Sequence, residues 1–324
     1  MPTEVTIALR GRCNYRCEYC VARNAEEPVS RHCLERLRAI YEASRNALMV
    51  TALECGASEP AMHPQIREIM SLAAEYGIIS MPTNNSIPPE RWLPTAVGPR
   101  LLIRAALHPR GEEHLPRFLE NLLRARAQGA RVMVIFVAHP GRFGKIGRYR
   151  DFFRQHQIPV WLTLFSGSFQ GRAYPQSYTP EQIEFMQVDQ NWWYTRLYPE
   201  IRCRDFSGIP CLAGWKSLFI DPDGNLRRCL YDPKVLPTPL SRAVPCRVGN
   251  CGCGLLLQEL SIYDTGFINY WRELAGQPLL PRDALKPDER FSVQQARYWA
   301  LMRRHGKIAP EPNRQAGGLQ HLRN

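Results

Sequence analysis

The sequence predicts an α/β fold with a parallel sheet, and three observations predict it. Strand-like and helix-like segments alternate up to about residue 195, giving about six strands with helices between them. The helical segments close at glycines such as Gly77 and Gly129. The residues able to do chemistry follow strands, and in parallel sheets ligands gather at the C-terminal strand ends. Cys13–Cys20, Gly56–Pro60, Thr83–Asn85, His108, His139 and Ser166–Gly167 all occupy that position.

The elements follow in order. Val5–Leu9 reads as the first strand, and a Gly- and Asn-bearing loop from Arg10 to Cys20 follows it. Residues 31–45 have helical character and Ala47–Leu53 strand character. A helix over about 63–76 leads into a short strand, Ile78–Met81, ended by Pro82. Leu101–Leu107 is the next strand, Glu113–Gln128 a helix, and Arg131–Val137 an apolar β-branched strand. Tyr149–Gln155 is a short helix before the strand Val160–Phe165. Composition then shifts to Cys, Pro, Gly and Arg over 203–253. There Ser217–Ile220 and Asn225–Leu230 read as a hairpin turning at Asp223-Gly224. Helices near 257–275 and 292–304 precede a frayed tail.

The bulk composition bounds the function. Of the 324 residues 44% are apolar and 22% charged, which suits a soluble globular protein rather than a disordered one. No apolar run is long enough to span a bilayer, and the start carries no secretory signal, so the cytoplasm is expected. The net charge of +12 would attract an anionic partner. No basic tract with interleaved aromatics argues for nucleic acid. Eleven cysteines, an odd number in a chain this long, argue against a disulfide framework.

The cysteines fall in two groups. Cys13, Cys17 and Cys20 form C-x3-C-x2-C directly after the first strand. Three thiolates hold three irons of a cubane and leave the fourth iron open to a chelating ligand; a zinc knuckle with a remote fourth ligand is the alternative. The pattern and its place resemble the radical SAM superfamily, whose members use a [4Fe–4S] cluster to cleave S-adenosylmethionine (SAM). The resemblance implies a partial (β/α)6 TIM-like barrel and SAM as cosubstrate. Its chemistry is reductive cleavage to methionine and a 5′-deoxyadenosyl radical, which abstracts hydrogen from carbon. It implies a further set of roles. Tyr19 would lie near the adenine. Gly56, Ser58 and Glu59, in Cys55-Gly-Ala-Ser-Glu-Pro60, correspond to the Gly-Gly-Glu-Pro motif that meets the SAM amine. Thr83-Asn84-Asn85 corresponds to Thr-Asn-Gly, with Asn84 toward SAM and Asn85 in the glycine's place. Arg104 or His108 would contact ribose or carboxylate, and Val137 would edge the adenine. Gly141–Gly147 has the wrong spacing for a phosphate loop and reads instead as a substrate loop.

The second group is Cys203, Cys211, Cys229, Cys246, Cys251 and Cys253. Cys211-Leu-Ala-Gly214 with the Gly224 turn and Cys229 resembles the opening of the SPASM and twitch extensions. The resemblance implies one auxiliary [4Fe–4S] cluster, two clusters in all. Cys211 and Cys229 would be ligands, with Cys203, Cys251 and Cys253 competing for the rest; a zinc site is the alternative. The expected domains are a core at 1–195, an auxiliary-cluster domain at 196–275, a small Cys-rich hairpin-and-helix unit, and a helical extension at 276–324.

The reaction is expected to be epimerisation of a sugar or peptide natural product, with Cys246 as hydrogen donor. The alternatives are alcohol dehydrogenation, with His108 or His139 as base, and peptide maturation. The absence of an N-terminal leader-binding unit weighs against leader-dependent maturation. The Gly-rich segment Phe165–Tyr174 offers Arg172 as a carboxylate clamp. Expected partners are a small-molecule or peptide substrate and an electron donor such as flavodoxin or ferredoxin.

Overall fold

The computed structural model describes residues 4–9, 11–17, 20, 31–43, 49–55, 58–187, 205–248 and 304–306. The alternation runs β1 (Glu4–Leu9), α1 (Arg31–Ala43), β2 (Met49–Cys55), α2 (Ile66–Tyr76), β3 (Gly77–Thr83), β4 (Leu101–Ala106), α3 (Pro109–Glu113), α4 (Leu115–Ala127), β5 (Arg131–Val137), α5 (Ile146–Gln155) and β6 (Val160–Thr163). Each strand pairs in parallel with the next, in the order β1-β2-β3-β4-β5-β6. This is the expected mixed α/β architecture, consistent with a partial (β/α)6 barrel. Among the described residues no helix is long and apolar enough to cross a membrane.

Strand parity separates the two faces, because successive side chains alternate. Val5, Ile7 and Leu9 of β1 are buried while Glu4, Thr6 and Ala8 are half-exposed. The same parity puts Ile79 and Met81, Ile103 and Ala105, and Val134 and Phe136 into one core with Leu37, Ile69, Met70, Leu122 and Phe153 of the helices. The other face carries half-buried Arg104, Ala106, Ile135, Val137 and Trp161.

Three segments depart from the sequence reading. β3 runs through Pro82 to Thr83, whereas an end at Pro82 was expected. The ladder to β2 stops at Ser80, so Pro82 stands where the strand pairs on one side only. The helix expected over 113–128 is α4, and a short helix the sequence reading did not include, α3, precedes it, the two parting at His114 (φ −119°, ψ 37°). Residues 167–174 form a hairpin, β7 (Gly167–Phe169) and β8 (Arg172–Tyr174), turning on Gln170 and Gly171 at φ 48° and 73°. α6 (Pro180–Gln187) follows, opened by a reciprocal cap in which Thr179 and Gln182 bond each other's backbone N–H.

Beyond it lie β9 (Pro210–Cys211), β10 (Ser217–Ile220), β11 (Leu226–Arg227) and β12 (Val244–Pro245). β10 and β11 are the expected hairpin, with Gly224 at φ 79°. The hairpin also extends the main sheet, since β10 lies parallel against the free edge of β1, from Glu4↔Ser217 to Ile7↔Ile220. The helices expected near 257–275 and 292–304 lie outside the described residues, apart from a single helical position at Arg304.

Candidate active site at the strand ends

All six parallel strands end on one rim, and the loop after β1 carries Cys13, Cys17 and Cys20. The Cys20 amide donates to Cys17 O at 3.1 Å. Cys13 Sγ accepts the Tyr15 amide at 3.4 Å and the Asn84 Nδ2 amide at 3.7 Å. Burial pushes the Cys17 thiol up to about 11, with the neighbouring charges of Cys13 and Cys20 adding to the shift. Burial likewise raises Cys13, against the Tyr15 amide bond. Thiols gathered in this way become thiolates when a cation joins them.

Glu59 ties this loop to its neighbours. It is buried, and its amide donates to Arg12 O at 3.0 Å. Its carboxylate accepts from Thr83 Oγ1 (2.5 Å), Ala61 N (3.1 Å) and Asn84 N (2.6 Å). Burial lifts its pKa to about 7, against these hydrogen bonds. Ser58 Oγ donates to Leu9 O at 2.8 Å. Asn84 Nδ2 also donates to Asn14 Oδ1 (2.9 Å), and Asn14 Nδ2 to Ser86 Oγ (2.9 Å). Ser58, Glu59 and Asn84 therefore knit the loops after β1, β2 and β3 together. Asn85 takes φ 55°, as its glycine-like position demands, and bonds Phe118 O at 2.7 Å.

The loops after β4, β5 and β6 are fastened differently. The half-buried His108 meets the Tyr15 ring edge-on at 6.2 Å. Burial, with the charge of Arg142, lowers its pKa to about 4, so it is neutral and a weak base near pH 7. Arg142 is buried and binds Glu112 through Nε at 2.8 Å and through Nη2, and Leu107 O at 2.9 Å; Lys145 reaches Glu112 at 2.8 Å. The Gly141–Gly147 segment, expected as a substrate loop, thus turns both cations onto Glu112. His139 Nδ1 accepts from Gly141 N (3.2 Å), which puts the ring proton of the neutral form on Nε2. Tyr178 donates to Ala138 O (2.6 Å) and accepts from Phe165 N (2.9 Å), locking two rim loops. Nothing in the sequence flagged Asn14, Glu112 or Tyr178.

No protein-family model and no curated protein matches the sequence. Solved structures do. Histidine-tagged anSMEcpe with bound AdoMet aligns over 94% of this chain and 98% of its own, at TM-score 0.52 and 12% identity. Native anSMEcpe with bound AdoMet and Cp18Cys peptide aligns over 95% and 100%, at TM-score 0.50 and 13% identity. Streptococcus suis SuiB aligns over 74% of this chain at TM-score 0.50 and 13% identity. The chain spans about 60–63% of SuiB's length. The chain shares its fold with these AdoMet-bound structures.

Cys13, Cys17 and Cys20 come together on this rim, and three thiols are a donor set that would fit a cubane with one open iron. Among the described residues no group of three or more His, Cys, Asp or Glu side chains is arranged to hold a single metal ion. A cubane differs, because each thiolate binds its own iron. Arg104 and Val137 lie on the sheet face opposite the helices, by strand parity and register. A cavity of 160 Å³ beside Tyr15, lined in part by Asn14, Ser86, Arg110 and Arg117, is smaller than the roughly 300 Å³ of an ordinary ligand pocket. Arg172 is exposed on β8. Tyr19, Gly56, Cys203, Cys251 and Cys253 lie outside the described residues.

Cys211 and Cys229 sit elsewhere. β10 runs parallel to β1 and β11 returns, so Cys211 before β10 and Cys229 after β11 lie toward the end opposite the rim. The strand between the two ends is about 16 Å long at about 3.3 Å per residue. Cys211 Sγ accepts the Ala213 amide at 3.4 Å, repeating the amide-to-sulfur bond at Cys13.

Proposed function

We propose that this chain is a radical SAM enzyme that removes hydrogen from a peptide substrate. The observation that carries the reading is the three-cysteine loop at the end of β1, locked to the rim by the Glu59–Thr83–Asn84 network. Cys13, Cys17 and Cys20 would hold the first [4Fe–4S] cluster, and Cys211 and Cys229 would contribute to the second. The chemistry such clusters supply is single-electron transfer: reductive cleavage of the SAM sulfonium to methionine and a 5′-deoxyadenosyl radical at the first, uptake of an electron at the second.

The chain's own residues prepare that chemistry. Asn84 and the Tyr15 amide hold the Cys13 sulfur in place, and hydrogen bonds to cluster sulfurs tune their potential. Arg104, on the sheet face opposite the described helices, would contact the SAM carboxylate. Native anSMEcpe, solved with AdoMet and the Cp18Cys peptide, shares the fold over 95% of this chain, which supports a peptide substrate. Between epimerisation and oxidation we favour oxidation, because Cys246 follows a strand paired with the Cys211 segment and so suits a ligand better than a hydrogen donor. Thiolates and reduced iron suit the cytoplasm, where a flavodoxin or ferredoxin would deliver the electron.

The test is anaerobic reconstitution followed by incubation with SAM and dithionite. Formation of 5′-deoxyadenosine, abolished when Cys13, Cys17 and Cys20 become alanine, is the expected result. Iron content near zero, or zinc at these sites with no 5′-deoxyadenosine, refutes the reading.

A further inference from the structure

Arg228 is only 6% exposed, and its surroundings are unusual for a surface-type side chain. Its Nε donates to Ala213 O at 3.2 Å, its Nη1 to Pro245 O at 2.8 Å and its Nη2 to Val244 O at 2.8 Å. The Asp232 carboxylate stands 3.9 Å away. A buried cation is costly unless its donors are met, and an apolar side chain would fill the space with less penalty. What the guanidinium offers instead is a rigid fork of donors that reaches several chain segments at once.

Each of those segments bears a cysteine. Ala213 lies two residues after Cys211, Pro245 adjoins Cys246, and Arg228 itself adjoins Cys229. The ribbon of β9 and β12 pairs Cys211 with Val244 and Pro210 with Pro245. Two further bonds, Cys246 N to Ile209 O and Gly208 N to Cys246 O, both 2.8 Å, continue it. In an antiparallel ribbon, opposed residues and those two apart share a face. Cys211 and Cys246 therefore lie on one face as diagonal neighbours, about 7 Å apart.

A second observation points the same way. Gly214 closes the Cys211-Leu-Ala-Gly segment at φ +86°, and a Cβ there would sit 2.8 Å from Arg228 Cγ and 3.0 Å from Leu240 Cδ1. The glycine thus admits both the left-handed turn and the arginine stem.

We propose that Arg228 is the positioning residue of the second cluster site: it fastens the segments carrying Cys211, Cys229 and Cys246 into one ligand face and makes Cys246 a cluster ligand. The proposal rests on the reading above that the chain holds a second cluster.

The test uses the full chain, reconstituted anaerobically, as wild type, Arg228→Lys and Arg228→Met. Iron and sulfide are counted, thiols are labelled with a maleimide and mapped by mass spectrometry, and the first cluster is followed by its electron paramagnetic resonance with SAM. Wild type should carry about eight irons, from two cubanes, with Cys211, Cys229 and Cys246 protected. Arg228→Met should fall to about four, expose those three thiols and leave the first-cluster signal with SAM unchanged. Arg228→Lys, which keeps the charge but not the fork, should retain less than half of the second cluster. A general loss of structure would disturb both clusters, whereas the proposed role disturbs one. Arg228→Met retaining full iron and protected thiols overturns the proposal, as does a two-cluster wild type in which Cys246 labels as fast as in denatured chain. That last measurement needs no variant, so the ligand role of Cys246 can be overturned even if Arg228→Met does not fold, and Arg228→Lys retaining the full second cluster overturns the role of the fork. A wild type with about four irons, all lost in the Cys13/Cys17/Cys20 variant, instead refutes the second-cluster reading beneath it.

Discussion

Glu112→Ala should be among the most destabilising single changes on the rim. Glu112 and Arg142 side chains are each 9% exposed, and Glu112 is the carboxylate that balances the buried guanidinium. Arg142 also donates to Leu107 O at 2.9 Å and lies 4.5 Å over the Phe136 ring, so it cannot leave without unpacking the loops after β4 and β5. Removing one partner of a buried pair costs about 3–5 kcal/mol, because the other charge stays buried and unbalanced. At about 2–4 °C per kcal/mol for a domain of 150–250 residues, the melting temperature should fall by roughly 6–20 °C. Lys145→Ala is the control: Lys145 is 54% exposed, and its bond to Glu112 should be worth less than about 1 kcal/mol. The double variant Glu112→Ala, Arg142→Met should recover part of the loss, since a methionine can rest against Phe136 without a charge. A pH series adds a signed check. Burial raises the Glu112 pKa, but the bonds and charges of Lys145 and Arg142 outweigh it and hold it below the ordinary 4.5. Its stabilisation is present above that value and lost as pH falls below it, and Glu112→Ala should lack this acid-side loss. Thermal melts by circular dichroism, with a double-mutant cycle in denaturant, provide the measurement. A Glu112→Ala loss below about 1 kcal/mol, or a strictly additive double variant, refutes the reasoning.

Three further outcomes follow from the same rim. Asn85→Gly should cost about 1 kcal/mol for the lost bond to Phe118 O, and Asn85→Ala about 2–3, because alanine also strains at φ 55°; equal costs in denaturant melts would remove the backbone argument. Tyr178→Phe should cost about 2–4 kcal/mol, since it strips partners from both Ala138 O and Phe165 N, and a change under about 0.5 would show that water replaces the hydroxyl. Wild-type stability should fall by about 3 kcal/mol as pH rises from 4.5 to 7, because unfolded Glu59 ionises while burial holds the folded carboxyl protonated to about 7; Glu59→Gln should lack that fall, and identical denaturation profiles across pH would rule it out.

The local grammar of the chain was legible without a structure. Six strands and the turn at Gly224 follow from side-chain period and turn chemistry, which act over a few residues, and the left-handed Asn85 from its match to a glycine position. The cysteine spacing and its place after β1 belong to that same short range. The sequence is silent where the deciding contact lies far along the chain. Gly141–Gly147 reads as a substrate loop, while Arg142 and Lys145 within it meet Glu112, 30 and 33 residues away. Glu59 falls in the segment matched to the motif at the SAM amine, and the partners of its carboxyl oxygens, Thr83 and Asn84, lie 24 and 25 residues on. Only packing could show that β10 joins β1 across more than two hundred residues. Periodicity marks which face of a strand is buried. Which distant strand, carbonyl or charge covers it is a property of the assembled core.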